Sequence, residues 1–147
     1  MRTLVVYDSV YGNTEAIARA IAGAIAGEVL RVGEANPAAL KEIDLLIVGS
    51  PTQGGRATPA IQAFLSKIPE AAIKGIRVAA FDTRISTKWV GIFGYAARRI
   101  ARNLKGRGGT LVVPPEGFFV KSTKGPLKEG ETERAAAWAR GLLEGHA

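Results

Sequence analysis

Four stretches of this chain are apolar without alternation, and they constrain its fold more than any other feature. They are Thr3-Leu4-Val5-Val6-Tyr7, Leu45-Leu46-Ile47-Val48, Arg77 to Phe81, and Thr110 to Val113. A strand with one wet face alternates apolar and polar residues, whereas a strand covered on both faces does not. Val29-Leu30-Arg31-Val32 adds a shorter strand, and the Thr110 strand is broken by Pro114-Pro115 and resumes at Phe118-Phe119-Val120. Helical patterns fill the intervals. Ile17, Ile21 and Ile25 recur at four-residue spacing among alanines, which predicts a helix over 14–26. Asn36-Pro37 reads as a cap followed by proline at the first helical position and predicts a short helix over 37–42. Thr58-Pro59 repeats that signal before the stripe Ile61, Leu65, Ile68. Residues 95–105 turn Ala97, Ile100, Ala101 and Leu104 inward, and 131–143 form a last helix carrying Trp138 and Leu142. Strand and helix thus alternate five times. That predicts an α/β fold with a single doubly wound five-stranded parallel sheet and helices on both faces. Ligands of such sheets bind beyond the carboxyl ends of the strands, where strand order reverses. The informative loops are those after strands one, three and four.

Composition narrows the chemistry. The 147 residues suit one domain, 1–147, and no linker, repeat or low-complexity tract divides them. No apolar run reaches the ~18 residues of a membrane span. The start, MRTLVVYDSV, is too short an apolar run for an export signal, so a cytoplasmic protein is expected. Cysteine is absent, and the one histidine is His146. Disulfides, thiolate metal sites and thiol nucleophiles are excluded, and a Ser-His-Asp triad or a histidine metal site is not expected. Any redox chemistry must reside on a bound organic cofactor. The net charge of +7 is lopsided: residues 1–73 carry 6 Lys+Arg and 7 Asp+Glu, residues 74–147 carry 14 and 6. A basic half is either a solvated surface or a docking face for an acidic partner, nucleic acid or a membrane surface.

The loop after the first strand is Asp8-Ser9-Val10-Tyr11-Gly12-Asn13-Thr14. It sets two hydroxyls, an amide and a glycine at a helix start, where backbone N–H groups and the helix dipole favour a phosphate. It holds no lysine or arginine, so neutral dipoles would hold the anion. A capped helix start without a ligand is the plain alternative. Neither a G-x-x-x-x-G-K-[ST] loop nor a G-x-G-x-x-G turn follows any strand.

Ser9-Val10-Tyr11-Gly12-Asn13-Thr14 resembles the flavodoxin phosphate loop, [ST]-x-T-G-x-T, with Tyr11 where threonine is usual. The resemblance spans the chain. Leu46 to Gly54 resembles the third-strand end and first flavin loop, and Val78 to Thr83 the fourth-strand end and second flavin loop. It implies a flavodoxin-like sheet of order 2-1-3-4-5, of the short-chain kind. It implies FMN, with its phosphate in loop 9–14 and its ring between loops 51–56 and 83–94. Pro51, Thr52, Gln53 and Gly54 then belong to the first flavin loop. Gln53 stands where many flavodoxins place tryptophan, and Gly54 matches the glycine whose carbonyl can turn toward flavin N5-H. Thr83, Arg84 and Ile85 match backbone donors to the pyrimidine edge. Trp89, then Phe93, are the candidates for the outer stacking aromatic; ordinary loop packing is the alternative for both.

Flavodoxins are usually acidic around the flavin, whereas this chain has Arg56 in one flavin loop and Arg84 and Lys88 in the other. A basic rim favours the anionic, fully reduced flavin. Arg98, Arg102 and Lys105 recur along one face of the fourth helix and read either as solvated or as part of a docking face. The resemblance implies an electron carrier between redox protein partners, a reductase and an acceptor, with no nucleic acid expected; the basic charge, a departure from the family, points to acidic docking faces on those partners. The alternatives are an FMN-dependent oxidoreductase of a quinone or porphyrinogen, for which the small Gln53 would leave room, and a binding module that has lost FMN. A phosphorylated receiver domain is excluded, because strand three ends Gly49-Ser50-Pro51 without an aspartate.

Overall fold

The structure is a computed structural model that describes residues 1–86 and 95–144. In chain order the elements are β1 (Thr3–Tyr7), α1 (Asn13–Ile25), β2 (Glu28–Arg31), a 3-10 turn (Val32–Glu34), β3 (Leu45–Pro51), α2 (Pro59–Ser66), β4 (Arg77–Ile85), α3 (Ala96–Gly106), β5 (Thr110–Leu111), β6 (Glu116–Val120) and α4 (Glu131–Glu144). The sheet runs β2-β1-β3-β4-β5 with every pair parallel, so the expected order is observed. β5 and β6 are two halves of one fifth strand. β5 pairs with the start of β4 (Arg77↔Thr110) and β6 with its end (Phe81↔Glu116 to Ile85↔Val120). The Pro114-Pro115 interruption separates them.

Alternate strand residues feed two cores. Val6, Leu46, Val48, Val78 and Ala80 pack against Ile61, Phe64 and Leu65 of α2 and Ile100 and Leu104 of α3. Val5, Tyr7, Ile47, Ala79 and Phe81 pack against Ile17 and Ile21 of α1 and Ala135, Ala139 and Leu142 of α4. Both faces are therefore dry, which is why the strands lack alternation. Phe81, Phe118 and Trp138 meet edge to face, with ring centroids 5.9–6.3 Å apart. Gly49 is required beside them, because a Cβ there would overlap the Phe81 ring.

The expected helix over 37–42 does not form. Asn36 Oδ1 accepts from the Ala38 N–H at 3.0 Å, an Asx turn, and a second turn closes from Ile43 N to Leu40 O at 3.1 Å. Six residues are too few to offset helix nucleation, and burial of Leu40 and Ile43 fixes the turns instead. Thr58 does cap α2, accepting from Ile61 N at 3.3 Å. β4 continues through Thr83, Arg84 and Ile85, which the sequence reading placed in a loop, because β6 pairs with them. No helix among the described residues is long and apolar enough to cross a membrane.

Candidate functional site

The site lies at the carboxyl ends of β1, β3 and β4, where the strand order reverses. β1 delivers the chain into Ser9–Gly12, and Gly12, at φ 92, makes the left-handed turn into α1. Ser9 Oγ accepts from the N–H groups of Gly12 (3.1 Å) and Glu15 (3.3 Å) and keeps its own hydrogen to donate. Among the described residues, no acceptor meets the N–H groups of Val10, Tyr11, Asn13 or Thr14. Unmet donors at a helix start, with the positive end of its dipole, suit a phosphate. The buried hydroxyls of Thr14 and Thr83 lie 2.8 Å apart. One hydrogen serves that bond, so the other stays available to an anion.

A cavity of about 120 Å³ opens beside this loop, and residues from three strand ends line it: Ser9, Val10, Tyr11, Asn13 and Thr14; Pro51, Thr52 and Gln53; Thr83, Arg84 and Ile85. A cleft of about 390 Å³ adjoins it, sharing Thr52, Gln53, Arg84 and Ile85 and adding Gly54 and Gly55. Eleven of the residues singled out in the sequence thus meet around one hollow, with Gly54 in its extension. Gly12 contributes the turn rather than the wall. Trp89 and Phe93 lie outside the described residues.

Gln53 and Arg56 exchange both backbone hydrogen bonds, Gln53 N to Arg56 O at 2.8 Å and Arg56 N to Gln53 O at 3.0 Å. Gly54 (φ 57) and Gly55 (φ 82) are the two central residues of this turn, and both angles favour glycine. Thr52 is tied to the far side of the site: its N–H donates to Thr83 O at 2.9 Å and its Oγ1 accepts from Ala96 N at 3.1 Å.

Several residues of the site were missed in the sequence. Asp82 is fully buried and grips Arg84 through both carboxylate oxygens, at 2.7 and 2.8 Å, while accepting from Ala97 N at 2.9 Å. Burial pushes its carboxyl above the ordinary value, and Arg84 and the Ala97 N–H oppose that rise. Gly117 leaves the space that the Arg84 guanidinium fills. The cation assigned to a basic rim is therefore paired. Positions i and i+2 of a strand share a face, and that was the signal available in Asp82-Thr83-Arg84. Arg31 of β2 reaches Asp8 Oδ1 at 3.2 Å and Ser9 O at 3.0 Å, so a cation does stand beside the phosphate loop. Val120 and Thr123 also line the cavity, and Asn13 Nδ2 donates to Lys124 O at 3.3 Å. No local pattern announces these long-range contacts. No cluster of metal-ligating side chains occurs among the described residues.

Comparison with known proteins agrees with this geometry. The family model described as flavodoxin matches residues 5–138. No curated protein matches the sequence. A flavodoxin from the domain Archaea is 25% identical, with a TM-score of 0.81 over 98% of this chain and 97% of that one. Flavodoxin 1 from Bacillus cereus, at 20% identity, superposes with a TM-score of 0.82 over 98% of both chains. A short-chain flavodoxin associated with a non-canonical PDU bacterial microcompartment is 17% identical, with a TM-score of 0.76 and full coverage of both chains. The last two show likeness of fold.

Proposed function

This chain belongs to the flavodoxin family, FMN-binding proteins of electron transfer, and on that premise we propose that it shuttles electrons between protein partners as a single cytoplasmic domain, 1–147. One observation carries the assignment of the site. Among the described residues, the four backbone N–H groups of Val10, Tyr11, Asn13 and Thr14 lack acceptors at one end of a hollow that runs to the Gln53–Arg56 turn. These donors fit the phosphate of FMN, and the hydroxyl of Ser9 and one of the hydroxyls of Thr14 and Thr83 each have a hydrogen to add. The turn at Gln53-Gly54-Gly55-Arg56 and the β4 end at Thr83–Ile85 flank the space assigned to the ring. Bound there, FMN supplies one- and two-electron chemistry. The chain binds, orients and sets the local charge. No side chain is assigned as a catalytic acid or base.

The partners are redox proteins with acidic docking faces. Arg98, Arg102 and Lys105 of α3 are exposed, and among the described residues none has a carboxylate partner. Free cations of one sign on one helix speed encounter with an acidic surface and lose that effect as salt rises. The test uses the FMN-loaded protein. Reduction should require a separate reductase, slow with added salt, and slow further when Arg98, Arg102 and Lys105 are reversed to Glu, with FMN content unchanged. Salt-independent transfer would refute the docking assignment.

The second reading is an FMN-dependent oxidoreductase of a quinone or porphyrinogen. The observation in its favour is the open cleft whose first-loop wall is Thr52, Gln53, Gly54 and Gly55, with no aromatic side chain among them. Steady turnover of NAD(P)H or a quinone by the protein alone would establish it over the first.

A further inference from the structure

A second hollow, of about 340 Å³, lies between α2 and α3, outside the FMN site. Arg56, Gln62, Leu65, Arg99, Ile100 and Asn103 line it. Its polar groups are cationic or amide, and among the described residues no carboxylate lines it. Two of them are already used: Gln62 Nε2 donates to Ala57 O at 2.8 Å, and Asn103 Oδ1 accepts from Arg107 at 2.8 Å. Arg99 is only partly engaged. Its Nε donates to Gly55 O at 2.9 Å, and its terminal N–H groups meet no acceptor among the described residues. Gly55 is the second glycine of the turn that walls the flavin cleft. A guanidinium can hold one partner through Nε while its outer N–H groups take a carboxylate, which an ammonium on a flexible stem does not reproduce.

We propose that this groove seats a carboxylate side chain of an acidic redox partner, and that Arg99 links that docking to the flavin turn through Gly55. The proposal rests on the electron-carrier reading and names the docking point within it. Arg56 and Arg99 supply the charge, and Arg98 and Arg102 on the same helix extend it. A carboxylate on Arg99 cancels a positive charge next to the cleft, so FMN becomes harder to reduce once the partner is seated. Linkage requires the converse, that the oxidised protein binds the acidic partner more tightly than the reduced one.

The experiment uses a polyglutamate peptide as the probe, with the FMN-loaded protein and with apoprotein. Peptide affinity is read by fluorescence anisotropy, and the midpoint potential with and without peptide by redox titration. The expected result is peptide binding to both forms and a shift of the potential to a more negative value when peptide is present. Arg99→Gln should weaken binding about tenfold, the loss of one charge-assisted hydrogen bond, and abolish the shift. Arg102→Gln removes an equal charge from the same helix without touching Gly55, and it should weaken binding less and keep the shift. Equal behaviour of the two variants would overturn the proposal, as would no peptide binding. Failure of the protein to bind FMN would count against the carrier reading instead, while the affinities of the apoprotein variants would still decide whether the groove holds carboxylates.

Discussion

Arg84 is held by Asp82 through two hydrogen bonds, 2.7 and 2.8 Å long, with the carboxylate fully buried and the guanidinium 3.4 Å from the centroid of the Tyr95 ring. The pair joins the end of β4 to the start of α3, because Asp82 also accepts from Ala97 N. A charged residue that lines the cleft proposed for the flavin is thereby built into the fold and largely neutralised. Removing Arg84 would leave a buried carboxylate without its counter-ion, which typically costs about 3–5 kcal/mol. Arg84→Gln should therefore lower unfolding free energy by that order in a urea titration. The double variant with Asp82→Asn should lose less than Arg84→Gln alone. A loss below ~1 kcal/mol in the single variant would mean that the pair contributes little.

The same pairing redistributes the electrostatics of the site. Arg56 is exposed at the end of the Gln53–Arg56 turn and has no carboxylate partner among the described residues. A unit charge at ~8 Å contributes about 2 kcal/mol at an effective dielectric of ~20, before salt reduces it. Arg56→Asp should make the potential for full reduction of FMN more negative. Arg84→Gln should move it less than its charge alone suggests, since Asp82 takes up a proton as its counter-ion goes. Spectroelectrochemical titration of both variants beside the parent checks the order of the two shifts.

Glu131 anchors the start of α4. Its carboxylate accepts from Phe119 N at 2.7 Å and from Arg134 at 2.8 and 3.0 Å. The Arg134 guanidinium holds this carboxyl below its usual value, with the Phe119 N–H adding to the effect. A depressed carboxyl contributes stability that is complete above the unfolded value near 4.3 and is lost as pH falls through the folded value. Asp82, raised by burial, acts with the opposite sign, favouring the fold at low pH. The difference between parent and Glu131→Gln isolates Glu131. The variant should be less stable by about 1–3 kcal/mol at pH 7, and the gap should close toward acid. A gap that stays constant down to acid pH would count against this account.

Much of the fold was legible because it rests on local pattern. The apolar runs marked strands with two dry faces, and Thr58-Pro59 marked the start of α2 through a cap that any chain of that sequence can form. The segment after Asn36-Pro37 carried the same signal but too few residues to sustain a helix. In the site, the loop from Ser9 to Thr14 could be singled out because its residues are consecutive in the chain. The pairing of Thr83–Ile85 with β6, and the reach of Arg99 to Gly55, depend on residues about 35 and 44 positions apart in the chain. Such contacts are set by topology, and no spacing along the sequence encodes them. The Asp82–Arg84 pair was within reach of strand periodicity, once β4 was known to extend past Phe81.

The central claim is that the N–H groups between Val10 and Thr14 hold the phosphate of FMN. The measurement is a fluorescence titration of apoprotein with FMN and, in parallel, with riboflavin, which lacks the phosphate, for the parent, Gly12→Ala and Gly12→Asp. Gly12 sits at φ 92 with open space where a Cβ would stand, so alanine introduces backbone strain alone and aspartate adds a negative charge. Two charge-assisted hydrogen bonds are worth about 3 kcal/mol or more, so the parent should prefer FMN over riboflavin at least ~100-fold. Gly12→Ala should keep most of that preference, and Gly12→Asp should abolish it while leaving riboflavin affinity close to that of Gly12→Ala. Equal affinity of the parent for FMN and riboflavin, or an undiminished preference in Gly12→Asp, would contradict the assignment.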